Sequence, residues 1–376
     1  MATRQVDPRG PTSAARRQDL SRLVFYPMRI CSHSMALAAL GAVALAGCPG
    51  DPARPPEQEP PAWRVLLDED DLDRAVLSIW GTAPDDVFAV GGPLGNTGLR
   101  ALALHYDGAR WRELPAGGDA TFWWVAGSGP QDVWMVGERG RAARWDGATF
   151  TEHETGTEAT LWGVIAFSPD DAWAVGGTPG SGAGAEKDLV LRWDGSAWSR
   201  EPLPAATGRA LYKVWGESSE DLYAVGEFGV IWHRSGSTWE VQSDPPIAQG
   251  TLFTAAGCSR EEVYAVGGRD VLRSDGASWR RLEVELTNDV NGVACGRPGE
   301  VAIVGYGGLK QRLVDGAWID EFTEEPYADL HAVWADGEGA FWAVGGDFLS
   351  QPTPGRARKG VVARYGTGQI ADTVSR

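Results

Sequence analysis

The phrase Asp-Val-Trp-Ala-Val-Gly, or a close variant of it, occurs seven times between Asp86 and Gly345 and limits the possible folds more than any other feature. Successive copies are offset by 46, 39, 50, 41, 38 and 40 residues, a spacing typical of propeller blades. The glycines that end the copies are Gly91, Gly137, Gly176, Gly226, Gly267, Gly305 and Gly345. The sequence therefore predicts seven similar units.

The fourth unit has the shortest connections and shows the predicted secondary structure most plainly. Its four strands are expected at Leu211–Gly216, Asp221–Gly226, Val230–Arg234 and Thr238–Gln242. Each segment is rich in aromatic and β-branched residues and is bounded by turn residues. No sustained helical period occurs between Trp63 and Ile370. The predicted fold is all-β, a seven-bladed β-propeller of four-stranded antiparallel blades.

The spacing of residues within the phrase recurs from repeat to repeat and indicates which side chains are buried. A valine precedes every terminal glycine, and an aromatic residue stands two positions before that valine in six units. This period of two puts both side chains on one strand face, where they can pack between blades. An acidic residue stands five positions before six of the glycines: Asp86, Asp132, Asp171, Asp221, Glu262 and Glu300. We interpret these acids as acceptors for backbone N–H groups in the preceding turn rather than as metal ligands.

A second pattern, Asp-Gly-x-x-Trp, follows in most units. It occurs at Asp107–Trp111, Asp194–Trp198 and Asp275–Trp279. Asp-Gly predicts a tight hairpin turn, and the tryptophan is expected to begin the outermost strand. Residues 62–67 read like an outer strand without a preceding blade. Either they or Tyr365–Ile370 complete the seventh blade, and closure by the N-terminal segment would join the ends of the ring.

The N-terminal region predicts export. Met35–Ala46 is apolar but too short to span a bilayer, and basic residues precede it. Leu45-Ala46-Gly47-Cys48 resembles the lipobox of bacterial lipoproteins. The resemblance implies a signal peptide at 1–47, read from Met1 or Met28, and lipidation of Cys48. A Pro-rich tether at 48–61, a propeller at 62–370 and a tail at 371–376 would follow.

Charge and leader together indicate the environment of the folded domain. In some bacteria, lipoproteins with aspartate directly after the lipidated cysteine are retained at the inner membrane. This position is Pro49 here, so the resemblance points to the outer membrane of a bacterial cell envelope. The formal net charge of −17 argues against nucleic acid or anionic lipid as a partner. We expect membrane attachment through the N-terminal lipid alone, and a monomer.

Two cysteines remain outside the leader, Cys258 and Cys295, at nearly equivalent positions of adjacent repeats. In an oxidising compartment a disulfide between them is expected, although two free thiols or a metal-binding pair are alternatives.

The sequence contains no recognisable catalytic or metal-binding motif. The histidines beyond the leader, His105, His153, His233 and His331, are scattered and have no metal-ligand spacing. Of these histidines, His331 is the strongest candidate for contact with a ligand, because it lies on an innermost strand, which would line the channel. The acidic run Asp68–Asp73 lacks the spacing of a calcium loop and is interpreted as a solvated charge run. We expect no cofactor, no metal and no catalytic residue.

The segment Arg273–Trp279 resembles the Asp box of sialidase-like and sortilin-like propellers, with one residue missing between Asp and Gly. The repeats as a whole resemble Asp-box and kelch-like seven-bladed propellers and the repeat-built propeller lipoproteins of bacteria. Sialidase activity is not implied, because no arginine triad recurs at equivalent inner-strand positions. The resemblance implies a fold and leaves the activity open.

Extended loops suggest a binding face. Pro93–Arg100, Thr178–Asp188 and Asp347–Lys359 each join a second strand to a third, and Ser243–Gly250 joins two blades on the same face. These insertions are expected to surround one mouth of the channel, unless they reflect drift in unconstrained loops. The cations of the last loop, Arg356, Arg358 and Lys359, together with His331, are the predicted ligand-binding residues.

Two functional hypotheses follow. The first is a non-enzymatic lipid-anchored binding or scaffold module for an envelope protein or glycan. The alternative is a carbohydrate-active propeller, a hydrolase or lyase that uses carboxylates at the channel mouth. Two acids with a histidine or tyrosine within hydrogen-bond reach at a mouth would favour the enzyme, and acid-poor channel walls would favour the binding module.

Overall fold

Alternating apolar residues in each repeat form short strands that pair into seven antiparallel sheets around a central channel. The computed structural model describes residues 59–68, 70–95, 98–182, 184–243, 246–350, 358–368 and 370–375. Within these ranges no helix has the length and apolarity that crossing a membrane requires. The predicted all-β seven-bladed propeller is confirmed.

The first two strands of each blade carry the repeated phrase and its preceding segment. The inner strands, which line the channel, are Val76–Ala83, Phe122–Gly129, Leu161–Ser168, Leu211–Ser218, Thr254–Ser259, Val290–Arg297 and Leu330–Ala335. The second strands are Asp86–Gly91, Asp132–Gly137, Asp171–Gly176, Asp221–Gly226, Glu262–Gly267, Glu300–Gly305 and Phe341–Gly346.

The remaining strands lie toward the outside of the ring. The third strands are Leu102–Tyr106, Ala142–Trp145, Leu189–Trp193, Ile231–Ser235, Asp270–Ser274, Lys310–Val314 and Gly360–Gly366. The outer strands of blades one to six are Trp111–Glu113, Phe150–Glu152, Trp198–Arg200, Thr238–Val241, Trp279–Arg281 and Ala317–Asp320. Short 3-10 turns follow three second strands, at Glu138–Gly140, Glu227–Gly229 and Tyr306–Gly308.

Both ends of the described chain join the ring. Ala62–Leu67 pairs antiparallel with Gly360–Gly366, with Trp63 opposite Tyr365, and so supplies the outer strand of blade seven. Of the two alternatives, the N-terminal segment therefore closes the ring. Val374–Ser375, within the expected tail, pairs in parallel with Trp111–Glu113 as a fifth strand of blade one. Each pairing covers the edge of the strand it joins, so Ala62–Leu67 becomes the outermost strand of blade seven and Val374–Ser375 that of blade one.

The repeated aromatic and valine side chains pack between blades, as predicted. Phe88 and Val90 of blade one lie in one cluster with Phe122 and Val133 of blade two, and all four are fully buried. Full burial of an aliphatic or aromatic side chain contributes roughly 1.5–3 kcal/mol. Because every blade repeats this contact with the next, burial between blades is the main stabilising interaction of the ring.

The prediction for the repeated acids is wrong. Asp221 accepts from the ring nitrogen Nε2 of His233 at 2.7 Å, and Asp132 pairs with Nε of Arg144 at 2.7 Å, both on third strands. His233 also stacks on Tyr223, with ring centroids 4.3 Å apart. The acid starts the second strand, so its side chain reaches along the blade to the third-strand residue that lies opposite the repeat aromatic. In these two blades the acid, its third-strand partner and the repeat aromatic ring thus lie together.

The Asp-Gly-x-x-Trp turn has the expected position and a different division of roles. Oδ1 of Asp107 accepts from the backbone N–H groups of Ala109 and Arg110 at 3.1 and 2.9 Å. Gly108 alone adopts the left-handed conformation, with φ of 84°. The aspartate therefore holds the turn by accepting hydrogen bonds, and the glycine supplies its backbone geometry. Trp111 then begins the outer strand and is fully buried.

Candidate functional site

In six of the seven blades, a β-bulge near the start of the inner strand directs one residue toward one end of the channel. In blade three, Leu161 pairs with Gly176 and Gly163 pairs with Val175, so Trp162 lies between the two pairs without a partner. An unpaired residue of this kind can turn away from the pleated face of its strand. The residues at the equivalent position are Leu77, Trp123, Trp162, Tyr212, Phe253, Asn291 and His331.

Six of these seven residues line a cavity of about 230 Å³ at this end of the channel. Tyr306, from the 3-10 turn of blade six, and Phe348, from the loop of blade seven, complete its wall. We call its six aromatic residues the aromatic mouth: Trp123, Trp162, Tyr212, Phe253, Tyr306 and Phe348. Apolar walls with a few polar groups are typical of ligand sites.

The rings of the aromatic mouth contact one another from blade to blade. Centroid separations are 4.6 Å for Trp123 and Trp162, 5.4 Å for Trp162 and Tyr212, and 5.7 Å for Tyr212 and Phe253, all at tilted or edge-on angles. Nε1 of Trp162 donates to the Gly177 carbonyl at 2.9 Å. These rings remain half-buried and lie outside the clusters that join the blades, so their inner faces are available to a ligand.

Lys213 forms the floor of the cavity. It follows Tyr212 on the inner strand of blade four and is only 4% exposed. Its Nζ donates to the Trp162 carbonyl at 2.9 Å and lies 3.4 Å from the ring centroid of Trp124. Burial lowers the pKa of Lys213 well below its usual value. A carbonyl oxygen and an indole face are the contacts that the protein offers this amine.

His331, the predicted residue of the inner strand, lines the same cavity. Its ring meets Phe348 edge-on at 5.1 Å, and its Nδ1 donates to the Leu77 carbonyl of the neighbouring blade. Burial, together with the charge of Lys213, lowers the pKa of His331 to about 3. The imidazole is therefore neutral near pH 7, and Nε2 acts as a hydrogen-bond acceptor because Nδ1 carries the proton.

The opposite end of the channel contains a second cavity of about 410 Å³. Three of its four tryptophans, Trp80, Trp215 and Trp334, each lie against a glycine of the next blade, and the fourth, Trp124, packs on Nζ of Lys213. A Cβ atom added to Gly127 would come within 2.8 Å of Cη2 of Trp80, and one added to Gly81 within 2.9 Å of Cη2 of Trp334. The aromatic side chains at this end are therefore used to pack one blade on the next.

The channel walls are poor in acids. No carboxylate is among the described residues that line the aromatic mouth, and Glu217 is the acid that lines the opposite cavity. In the part of the chain that the structure describes, no group of three or more histidine, cysteine or carboxylate side chains is placed to hold a metal ion. The pair of acids with a histidine or tyrosine that hydrolysis would require does not occur at the aromatic mouth.

The predicted cationic loop is only partly described. Arg358 is buried, and its guanidinium donates to the carbonyls of Asp347, Leu94 and Ser350 at 2.8, 3.1 and 2.9 Å, which joins the loops of blades seven and one. Lys359 is exposed. Arg356 lies outside the described residues. A role for these three cations in binding stays a prediction, whereas Phe348 and Leu349 of the same loop do reach the cavity.

The other extended loops contribute less to this mouth. In blade three, the backbone N–H of Gly180 and Nζ of Lys187 donate to Glu227 of blade four at 2.6 and 2.7 Å, and none of these residues lines the aromatic mouth. In the loop between blades four and five, Gln249 and Gly250 donate to Asp270.

The remaining predicted positions lie away from the aromatic mouth. A disulfide joins Cys258 to Cys295, with Cα atoms 5.1 Å apart, between the inner strands of blades five and six. His105 contacts Asp86 on blade one, and His153 packs between Trp134 and Trp193. Cys48 and the leader lie outside the described residues.

The aromatic mouth and Lys213 were not among the residues predicted from the sequence. The sequence does contain a signal for the aromatic mouth. Counting fourteen residues back from each repeat glycine gives one inner-strand residue per blade, seven in all. Four of the seven are aromatic.

Comparison with known proteins supports the fold. No family model matches the chain, and no curated protein matches it. The solved structure "YCF48 bound to D1 peptide" is similar at 16% identity and a TM-score of 0.58, over 81% of this chain and 96% of that one. A streptogramin B lyase is similar at 13% identity and 0.61, over 80% and 97%. The WD40 repeats of RRP9 are similar at 14% identity and 0.62, over 83% and 100%.

Proposed function

We propose that this protein is a non-enzymatic binding module, anchored to the bacterial cell envelope through lipid on Cys48, that holds a segment of a partner protein in the aromatic mouth. The observation that carries the proposal is the ring of bulge residues. It presents adjacent aromatic side chains to solvent at a mouth whose described walls contain no carboxylate.

The polarity of the site favours a protein segment over a glycan. Tilted, mutually contacting rings leave an apolar recess, which suits an aliphatic or aromatic side chain. Sugar hydroxyl groups need many hydrogen-bond partners, and the cavity offers few beside Asn291, His331 and Lys213. The similar structure of YCF48 is of that protein bound to D1 peptide, which is consistent with peptide recognition by this fold.

The same polarity argues against the carbohydrate-active alternative. A glycosidase of the usual kind needs two carboxylates on opposite sides of the scissile bond. One of the similar structures is a lyase, but the acid-free lining of the aromatic mouth supports binding rather than acid–base chemistry at this site.

The binding proposal is tested with the full mature protein in detergent. A random peptide library and a glycan array are screened, and affinities are compared with those of Trp162→Ala and of Phe228→Ala, whose ring is 65% exposed on the 3-10 turn of blade four. We expect peptide ligands whose affinity falls at least tenfold with Trp162→Ala and is unchanged with Phe228→Ala. Binding of glycans alone, or peptide binding that ignores Trp162→Ala, contradicts the proposal.

The anchor is tested separately by cell fractionation. The lipobox-like segment before Cys48 supports acylation of this residue. We expect wild-type protein in the membrane fraction and Cys48→Ser in the soluble fraction or retained as the uncleaved precursor. Processed Cys48→Ser that stays in the membrane fraction refutes the lipid anchor.

A further inference from the structure

Lys213 is a buried amine whose described surroundings contain no carboxylate partner. The cost of taking a charge out of water is large unless an opposite charge compensates it. Other lysines of the protein have such compensation. Lys187 pairs with Glu227 at 2.7 Å, and Lys310 lies in the field of Glu321, Glu324 and Asp320. Burial is what lowers the pKa of Lys213, and none of the described acids raises that pKa in compensation.

This uncompensated amine lies in a protein that carries a formal net charge of −17. The described lining of the cavity contains no carboxylate and has a lysine at its floor, so the site is complementary to an anion. The aromatic rings above Lys213 require that the anion be attached to an apolar group. Charge complementarity and shape together therefore specify an apolar group that ends in a carboxylate.

The polar groups beside Lys213 indicate that the ligand also contains an amide. Nε2 of His331 is an acceptor, and the Asn291 side chain, which lines the same cavity, has both a donor and an acceptor. The last peptide bond of a protein chain has an N–H and a C=O that need such partners. A free fatty or aromatic acid has neither.

We propose that the aromatic mouth binds the carboxyl terminus of a partner protein, with the terminal carboxylate at the Lys213 ammonium and an apolar last side chain among the rings. This inference rests on the proposed function and names its ligand. A cavity of about 230 Å³ has room for one large side chain with its carboxylate, so the last residue dominates recognition.

Titration of the site gives the inference a second readout. The titratable side chains that line the cavity with Lys213 are Tyr212, Tyr306 and His331. Burial raises the pKa of Tyr212 to about 12 and raises that of Tyr306, whereas that of His331 is about 3. Behind Tyr212, Glu227 is held by Lys187. Because burial lowers the pKa of Lys213, the free site favours the neutral amine, whereas a bound carboxylate favours the ammonium, so carboxylate binding should be accompanied by proton uptake.

The test uses isothermal titration calorimetry on the full mature protein with three probes: acetyl-Ala-Ala-Phe with a free carboxylate, its C-terminal amide, and 3-phenylpropionate. We expect the peptide acid to bind at least tenfold more tightly than the amide and than phenylpropionate. The affinity of the acid should fall as the pH rises, because the ammonium form of Lys213 becomes less favoured, and that of the amide should not.

Two variants locate the effect. Lys213→Met keeps the length of the side chain and removes the charge, so the acid and the amide should then bind equally. Lys359→Met tests the predicted loop cations as the alternative anion site, and it should leave the tenfold preference intact if Lys213 holds the carboxylate.

Each other outcome overturns the inference. If the amide binds wild-type protein as tightly as the acid does, the carboxylate has no role. This comparison does not depend on any variant being folded. The proposed function then survives, provided that Trp162→Ala still weakens binding. Equal binding of phenylpropionate reassigns the site to free acids. Loss of the preference in Lys359→Met rather than Lys213→Met moves the anion site to the loop, and failure of both peptides to bind removes the carboxyl terminus as the ligand.

Discussion

Trp162 at the aromatic mouth and Trp80 at the opposite end of the channel are both half-buried indoles on inner strands, yet their neighbours differ. Trp80 lies on Gly127 of the next blade and packs against the clusters that join blades one to three. Trp162 occupies a bulge and contacts other rings of the cavity wall. An aromatic side chain near the channel is thus used for packing where a glycine of the next blade receives it, and for a ligand surface where it borders the cavity beside other rings of the aromatic mouth.

The largest expected difference between the two ends is in stability. Trp80→Ala removes a ring that fills the space above Gly127, so we expect the free energy of unfolding to fall by about 3 kcal/mol. Trp162→Ala removes a ring that borders a cavity, and we expect a loss of about 1 kcal/mol. Urea unfolding followed by circular dichroism measures both values. Equal losses would mean that the two ends do not differ in the way described.

Glycines two residues apart provide a control for the same contact. A Cβ on Gly127 would collide with Trp80 and with the Asp132 carbonyl, whereas a Cβ on Gly129 meets no atom within 4 Å. Gly127→Ala should therefore destabilise the protein by about 1–3 kcal/mol, and Gly129→Ala should change the free energy of unfolding by less than about 0.5 kcal/mol. Similar effects of the two substitutions would show that Trp80 can shift without loss.

The sequence predicts the packing end of this comparison better than the binding end. Val90 and Phe88 follow a period of two, and strand geometry converts that period directly into a buried face. The bulge at Trp162 breaks the period, so alternation alone does not indicate which of several successive apolar residues points into the channel. Only alignment of the repeats from their glycines puts the aromatic residues in register.

Local sequence patterns also failed to predict which side chains and carbonyls hydrogen-bond across strands and loops. Turn composition suggested that Asp221 holds a turn, but its partner is His233, twelve residues away on the third strand. Arg358 appeared to be a cation on a loop, and the structure buries it among three carbonyls. The sequence alone does not show which residues are neighbours in the fold. Those neighbours decide whether a charged group is already hydrogen-bonded within the protein or is free to bind a ligand.

The last expected effect appears only when the pH is changed and concerns His331, which lies at the aromatic mouth and is neutral near pH 7 because its pKa is about 3. In the unfolded chain a histidine has its ordinary pKa of about 6.5. Below that pH the unfolded state binds a proton that the folded state does not, so stability present above pH 6.5 is lost as the pH falls toward 3. Between pH 8 and 5 this contributes about 2 kcal/mol of destabilisation.

The variant His331→Gln retains a polar side chain and does not titrate. We expect its free energy of unfolding to fall by about 2 kcal/mol less than that of the wild-type protein between pH 8 and 5, measured by urea unfolding at each pH. The other acids and histidines contribute equally to both proteins, so the difference between the two curves isolates His331. Parallel curves would mean that water or the ligand-free cavity solvates the imidazolium, and the aromatic mouth would then be more polar than its apolar lining indicates.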